Sequence, residues 1–507
     1  MSNLYAALGK ALRDRPDAIV LESADRSWTG AELDAWVARF AGALRSVGLQ
    51  PGDRIAVQVE KSAENIALYL AALRVGAIYV PLNTAYQPRE IEYFLGDSSP
   101  RVFVVAPERI ETLRPVATAT RVEHILSLGT RSDGSLAELA SSIAPAASIV
   151  DRAANDLAVI CYTSGTTGRS KGAMISHDNL LSNARTLVEL WGFTSRDVLV
   201  HALPLYHIHG LFVALHVAVL AGARILLHAK FDAKLVLAAL QQATTMMGVP
   251  TFYTRLLAEP SLSRDAVANV RLFVSGSAPL LAETFEEFAA RTGHRILERY
   301  GMTETGMIAS NPLDGERRPG TVGLPLPHVN VRITNESGEL QPRGTIGNVE
   351  VAGPNVFQGY WRMPEKTAQE FRSDGYFITG DLGTIEPDGY VRLVGRAKDL
   401  IISGGLNVYP KEIEELIDAI PCVDESAVFA IAHPDFGEAV AAVVTLKTNV
   451  AVTEAQILSH LRPLLASFKV PKRVFIVDEL PRNAMSKVQK AVLRERYKDA
   501  FASAPSP

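Results

Sequence analysis

The chain has 507 residues, of which 48% are hydrophobic and 21% charged, and a formal net charge of -4. That length exceeds one ordinary core and implies two or more domains of a globular protein. There is no basic stripe of the kind a nucleic-acid binder needs, no signal-peptide core in residues 1–17, and no apolar run long enough to span a bilayer. The longest such run, Leu211 to Ala223, falls short. These features predict no nucleic-acid partner and no membrane attachment. The two cysteines, Cys161 and Cys422, lie far apart and form no CxxC pair. A disulfide framework and a thiolate zinc site are excluded, core packing is the expected role of both thiols, and a reducing, cytoplasmic setting is the expected compartment.

In chain order, Ala31 to Val47 has helical spacing of Leu33, Val37, Phe40, Ala41 and Leu44, with Gly48 as a stop. Ile55-Ala56-Val57 is a short apolar strand, Asn65 to Arg74 a helix, and Ala77 to Pro81 a strand. This alternation predicts α/β layers with a mostly parallel sheet. Thr130 to Ser148, rich in Ser, Ala, Gly and Pro, is expected to be a surface connection. Leu157 to Tyr162 has strand length, and Asp178 to Trp191 is a helix with Leu180, Ala184, Leu187 and Trp191 on one face. From Pro325 to Val394, short strands alternate with Gly and Pro turns, which predicts a β-rich region. Beyond Arg396 the pattern changes to a helix over Lys411 to Ile420, strands over Glu425 to Ala432 and Ala439 to Leu446, and a helix over Thr453 to Leu465. The expected organisation is a large N-terminal domain over 1–397 and a small α+β domain over 398–507, with disorder expected after Ala502.

Directly after the Leu157 to Tyr162 strand comes Thr163-Ser164-Gly165-Thr166-Thr167-Gly168-Arg169-Ser170-Lys171-Gly172. Its glycines let backbone N–H groups turn toward an anion, four or more hydroxyls lie beside them, and Lys171 adds a cation. That is chemistry for a polyphosphate. The Walker pattern is absent, since no Ser or Thr follows Lys171, and so is the GxGxxG dinucleotide fingerprint.

Further segments follow in order: Tyr300-Gly301-Met302-Thr303-Glu304, Tyr376 to Asp381, Gly395-Arg396-Ala397-Lys398-Asp399, and Pro481-Arg482-Asn483-Ala484-Met485-Ser486-Lys487. With the glycine loop, this set resembles the superfamily of acyl-CoA synthetases, luciferases and peptide-synthetase adenylation domains, over nearly the whole chain. The resemblance implies an α/β N-terminal domain with a mobile C-terminal lid, and an ATP-dependent ligation to coenzyme A through an acyl-AMP. It places the ATP phosphates on Thr163, Ser164, Gly165, Thr166, Thr167, Gly168 and Lys171. Adenine and α-phosphate fall to Ser277, Ala278, Pro279 and Glu298 to Thr303, including Tyr300, Gly301 and Met302. Glu304 becomes the Mg²⁺ carboxylate, Asp381 and Arg396 the ribose partners, Lys398 the hinge, and Gly404-Gly405 the passage for CoA. Lys487, with Thr303, Glu304 and His207, becomes the catalytic set. The superfamily usually has glycine before the catalytic lysine, where this chain has Ser486.

Within the superfamily the chain resembles malonyl-CoA synthetases, through Leu203 to Phe212, Gly248 to Leu257 and Ser275 to Leu280. The second carboxylate of malonate needs a cation in a buried pocket. The resemblance implies Arg255 for that role, helped by Ser277 and His207, with Gly301 and Met302 completing the substrate wall. Ile208 stands where those synthetases often carry a small polar residue, and methylmalonate tolerance depends on the room it leaves. The alternatives are a CoA ligase for another short or aryl acid, a carrier-loading adenylation domain, and a catalytically dead binding protein. Retention of Lys171, Glu304, Asp381 and Lys487 argues against the last.

Overall fold

The computed structural model describes residues 2–163, 170–403, 406–433, 437–448, 450–465, 467–483 and 487–501. The chain divides into two compact units. One comprises Met1–Leu280, Thr284–Asn330 and Val351–Phe377; the other comprises Leu281–Glu283, Val331–Glu350 and Ile378–Pro507.

The first unit is built on two sheets. A six-stranded sheet runs in the order His124–Ser127, Val102–Val105, Arg54–Gln58, Ile78–Pro81, Leu157–Thr163, Lys171–Ser176, all neighbours parallel except the last pair. A nine-stranded sheet has a parallel centre, in which Leu297–Met302, Leu272–Ser275, Thr245–Gly248, Val198–His201 and Arg224–Leu227 lie side by side. The predicted α/β layering is therefore observed. Helix Gly30–Ser46 starts where expected because Thr29 and Glu32 close a capping box, each side chain bonded to the other's backbone N–H at 3.2 and 2.8 Å. Helix Ala63–Arg74 is buried on every face. Its even run of Ala and Leu reflects that, since a helix surrounded by protein needs no polar side. The stretch 130–148 departs from expectation: it carries a helix, Ser135–Ser142, which buries Leu136, Ala137 and Ala140. Its Ser and Ala content concealed a short amphipathic face.

The second unit contains a four-stranded sheet in the order Asn330–Thr334, Gly347–Ala352, Phe377–Ile385, Val391–Arg396, as the turn-rich pattern predicts. It also contains a sheet in which Val423–His433 and Gly437–Leu446 pair antiparallel while Arg473–Ile476 runs parallel to the latter. Helices Pro410–Asp418 and Glu454–Leu461 pack Ile413, Ile417, Ile457 and Leu461 onto it. Among the described residues, no helix is long and apolar enough to cross a membrane. Cys161 is buried and Cys422 half-buried. Burial, followed by the nearby Glu304 charge, pushes the Cys161 thiol up to about 12. It is a packing residue rather than a nucleophile.

Candidate active site

The glycine loop is the connection of a β-hairpin. Strand Leu157–Thr163 pairs antiparallel with strand Lys171–Ser176, and Thr163 lies opposite Lys171. Ser164, Gly165, Thr166, Thr167 and Gly168 lie outside the described residues. The Lys171 ammonium sits 3.0 Å from Glu370 Oε1 and 4.0 Å from the centre of the Tyr360 ring. The Tyr360 hydroxyl lies 2.6 Å from Glu370 Oε2 and 3.1 Å from Glu304 Oε1. A continuous polar chain therefore links Lys171, Glu370, Tyr360 and Glu304. Burial pushes the Glu370 carboxyl up, but bonds from Tyr360, Lys366 and Lys171 outweigh it and hold the group below its usual range. Burial and the two carboxylates raise the Tyr360 phenol, so it remains a donor.

Tyr360 and Glu370 escaped the sequence reading. Neither sits in a recognisable motif, and only the fold brings them beside Lys171. Tyr360→Phe is expected to destabilise the chain by about 1.5–3 kcal/mol, the range for a hydrogen bond to a charged group. The measurement is a lowered melting temperature.

Residues 297–310 form a second hairpin, strand Leu297–Met302 against Gly306–Ser310. Gly301 has to be glycine here, because a Cβ at that position would lie 2.2 Å from the Gly306 carbonyl oxygen. The Thr303-Glu304 turn is clamped from outside. Asn355 donates to the carbonyls of Thr305 and Met307, Asn183 brackets Met307, and the Phe357 N–H donates to the Glu304 carbonyl at 2.8 Å. The Glu304 carboxylate is buried, with the Tyr360 hydroxyl within hydrogen-bond distance. Among the described residues no group of three or more His, Cys, Asp or Glu could hold a metal. One buried carboxylate such as Glu304 still fits Mg²⁺, which usually takes one or two protein carboxylates and completes its shell with phosphates and water.

The acid-binding candidates gather beside this hairpin. His207 is half-buried, and its Nδ1 accepts from the His209 N–H at 3.4 Å. His209 is buried, with Ser277 Oγ 3.3 Å from its Nδ1. Burial, then the Arg299, His207 and His201 charges, holds the His209 imidazole well below its usual range. Ser277 has φ of 73°, a left-handed conformation that costs a non-glycine residue about 1–3 kcal/mol and tends to occur at working sites. Ala278 is half-buried and Pro279 exposed; the Glu298 carboxylate secures this turn by accepting the Leu280 N–H at 3.1 Å. Tyr300 is buried, and Gly301, Met302 and Thr303 are half-buried. Ile208 and Thr303 line the same small cavity with Ile175, Phe212 and Gly306.

Arg255 is exposed, contrary to the expectation of a buried cation. Helix Pro250–Leu257 turns Tyr253 and Leu256 inward, and the Tyr253 hydroxyl donates to the Val274 carbonyl at 2.7 Å. A different arginine is buried. Arg299, 3% exposed, lies against Gly276, where a Cβ would sit 2.5 Å from its Cζ. Its Nε and Nη2 make no hydrogen bond among the described residues. Burial pushes it down to about 9, which still leaves it charged at neutral pH. The available signal was a charged pair, Glu298-Arg299, inside an otherwise apolar strand.

In the second unit, Asp381 and Arg396 face each other across strands Phe377–Ile385 and Val391–Arg396. The Arg396 Nε lies 2.7 Å from Asp381 Oδ1, and the Asp381 N–H donates to Thr379 Oγ1 at 3.0 Å. Lys398 sits in the short turn Ala397–Asp399; burial lowers its ammonium despite neighbouring Asp399. Gly404 and Gly405 lie outside the described residues, as does Ser486. Lys487 is half-buried, and its N–H donates to Asn483 Oδ1 at 3.0 Å.

Comparison with known proteins is consistent with this constellation. The AMP-binding enzyme family matches residues 8–361, and the AMP-binding enzyme C-terminal domain matches residues 412–487. The fold superimposes on a crystal structure of ATP-bound MatB from Rhodopseudomonas palustris with a TM-score of 0.96 and 54% identity, over 99% of each chain. The chain is 34% identical to a feruloyl-CoA synthase of Amycolatopsis sp, covering 96% of this chain and 97% of that one. It is 35% identical to the mitochondrial malonate–CoA ligase ACSF3 of Bos taurus, covering 88% and 82%. With family models matching most of its length, the chain belongs to the AMP-binding enzyme family and is an AMP-forming acid–CoA ligase.

Proposed function

We propose that this ligase joins malonate to coenzyme A, giving malonyl-CoA, AMP and pyrophosphate. The observation that supports the reading is Arg299, a charged guanidinium in the protein interior whose Nε and Nη2 find no acceptor among the described residues. An unpaired buried cation is unfavourable unless an anion arrives to meet it. The distal carboxylate of a short dicarboxylate is such an anion; His209, held neutral by burial and by the nearby Arg299 charge, links Arg299 to Ser277 and His207, which hydrogen-bond to it. Arg255 is proposed as a second cation at the mouth of this pocket. The similarity to a malonate–CoA ligase supports the same acid.

The chemistry proceeds in two displacements. A carboxylate oxygen of malonate attacks the α-phosphorus of ATP and pyrophosphate leaves. The CoA sulfur then attacks the acyl carbon and AMP leaves, while the thiol proton passes to solvent or base. In the first step negative charge gathers on the phosphoryl oxygens, and fixed cations there lower the barrier. Lys487 is proposed to supply that charge, and Lys171 with the 163–168 loop to hold the phosphates. Asp381 and Arg396 are assigned to the ribose, and Glu298 to Thr303 with Ala278 and Pro279 to adenine and α-phosphate. Mg²⁺, held by Glu304, would neutralise phosphate charge when bound with ATP. The same reading sets the domain boundary at Ala397/Lys398, with Lys398 as hinge and Gly404-Gly405 as the CoA passage.

Pyrophosphate release with malonate, methylmalonate, acetate, oxalate and ferulate, each with and without CoA, tests the proposal. Malonate should lead in kcat/KM by about tenfold or more, since one buried ion pair is worth at least that factor. The similarity to a feruloyl-CoA synthase supports a second reading, an aryl acid. A neutral aryl tail would leave Arg299 without its anion, and a preference for ferulate or acetate would overturn the malonate assignment.

A further inference from the structure

Residues 481–483 and 487–490 form two legs that are tied to each other, and Lys487 begins the second. The Asn483 N–H donates to the Lys487 carbonyl at 2.9 Å, and the Lys487 N–H donates back to the Asn483 side-chain Oδ1 at 3.0 Å. Arg482 bridges Val488, and the Gln489 N–H donates to the Pro481 carbonyl at 2.8 Å. Each leg also carries one cation, and both cations reach carboxylates of the same unit. Arg482 pairs with Glu425 on strand Val423–His433. Lys490, the first residue of helix Lys490–Tyr497, pairs with Glu414 on helix Pro410–Asp418 at 2.7 Å. Glu414 is itself fixed, since its Oε1 also accepts the Val428 N–H at 2.7 Å. The Lys490–Glu414 pair is the more shielded, with side chains 18–19% exposed against 31–32% for Arg482 and Glu425.

The carboxylates form a crowded acidic group with Asp418, which burial and the Glu414 and Glu425 charges push up to about 8. Such a group is repulsive by itself, and Arg482 and Lys490 provide the compensating charge. The arrangement is more specific than a surface charge pattern, because each of the two hydrogen-bonded legs carries one of the two cations.

We propose that Glu414 and Glu425 are positioning residues for Lys487, acting through Lys490 and Arg482 to hold both legs of its loop. Neither acid touches substrate. Their effect is to keep the Lys487 ammonium within reach of the phosphoryl oxygens, where a displacement of about 1 Å can cost 10²-fold in rate. The proposal rests on the reading of Lys487 as the cation of adenylate formation.

The test compares Lys490→Met, Glu425→Gln and Lys490→Arg in the full chain. Single-turnover pyrophosphate release is measured with ATP and malonate, and thioester formation with supplied malonyl-AMP and CoA. Lys490→Met and Glu425→Gln should each lower the rate constant of pyrophosphate release by about 10- to 100-fold. KM for ATP, thioester formation and melting temperature should change little, and Lys490→Arg should retain most activity. Parallel loss of both half-reactions together with a lowered melting temperature would mean a merely structural pair and overturn the proposal, as would unchanged pyrophosphate release. If Lys490→Met does not fold, Glu425→Gln decides alone. Lys487→Ala runs in the same assays. If it shows no selectivity for the first half-reaction, the reading of Lys487 fails; if it does and the pair variants do not, only the positioning role fails.

Discussion

Lys487→Ala should slow adenylate formation by about 10² or more, the usual cost of removing one charge-stabilising donor from a transition state. The reacting phosphorus collects negative charge as the acid's carboxylate enters and pyrophosphate leaves, and methyl in place of an ammonium cannot offset it. Thioester formation from supplied malonyl-AMP should stay close to wild type, because its developing charge is on a carbonyl oxygen and its leaving group is AMP. Rapid-quench measurement of pyrophosphate, beside thioester formation from the synthetic adenylate, separates the two. An equal loss in both half-reactions would show that Lys487 does not act specifically in the first. Lys487→Arg should recover only part of the rate, since a planar guanidinium presents its charge with a different geometry from an ammonium.

The next largest expected effect concerns the acid. Arg299→Met should lower kcat/KM for malonate by roughly 30-fold to several thousand-fold, the range for losing one partner of a buried charge pair at about 2–5 kcal/mol. Acetate, with no second carboxylate, should lose far less. The free protein should keep or raise its melting temperature, because Nε and Nη2 of Arg299 have no described partner to lose and an apolar side chain of similar length removes a desolvated charge. A loss of malonate activity without a loss of stability is the signature of a residue kept for binding. Arg255→Ala gives the matching comparison. Its side chain is exposed in the structure, so its effect on malonate should be smaller than that of Arg299→Met. If Arg255→Ala proves the more damaging of the two, the distal carboxylate lies with Arg255. If both variants harm malonate and acetate equally, the dicarboxylate assignment fails while the ligase class stands.

Much of this protein was legible in one dimension, because its chemistry is carried by short contiguous motifs. A phosphate-holding loop is made from neighbouring backbone N–H groups, so order alone is enough to propose Thr163 to Lys171 for that role. Asp381 and Arg396 were assigned together, and a two-strand register brings them together at 2.7 Å. Helix and strand positions followed from local periodicity and caps, as with Thr29 and Glu32 at the start of Gly30–Ser46. The misread stretch, 130–148, was one where small residues gave little hydrophobic contrast.

Only the tertiary structure decided which charges are buried and what they face. Arg255 and Arg299 look alike in the sequence, each an arginine within an apolar segment. One lies on the outward side of a short helix, and the other lies in the centre of a sheet against Gly276. Burial depends on what packs from distant parts of the chain, and desolvation, which gives a cation its need for an anion, depends on burial. The same reason hid Tyr360 and Glu370, which meet Lys171 across nearly two hundred residues, and the Glu414–Lys490 pair beside Lys487. Thus the sequence by itself determined the family and the reaction class, through short ordered motifs. The fold alone decided the electrostatic environment of those residues, since that environment is set by long-range contacts and exclusion of water.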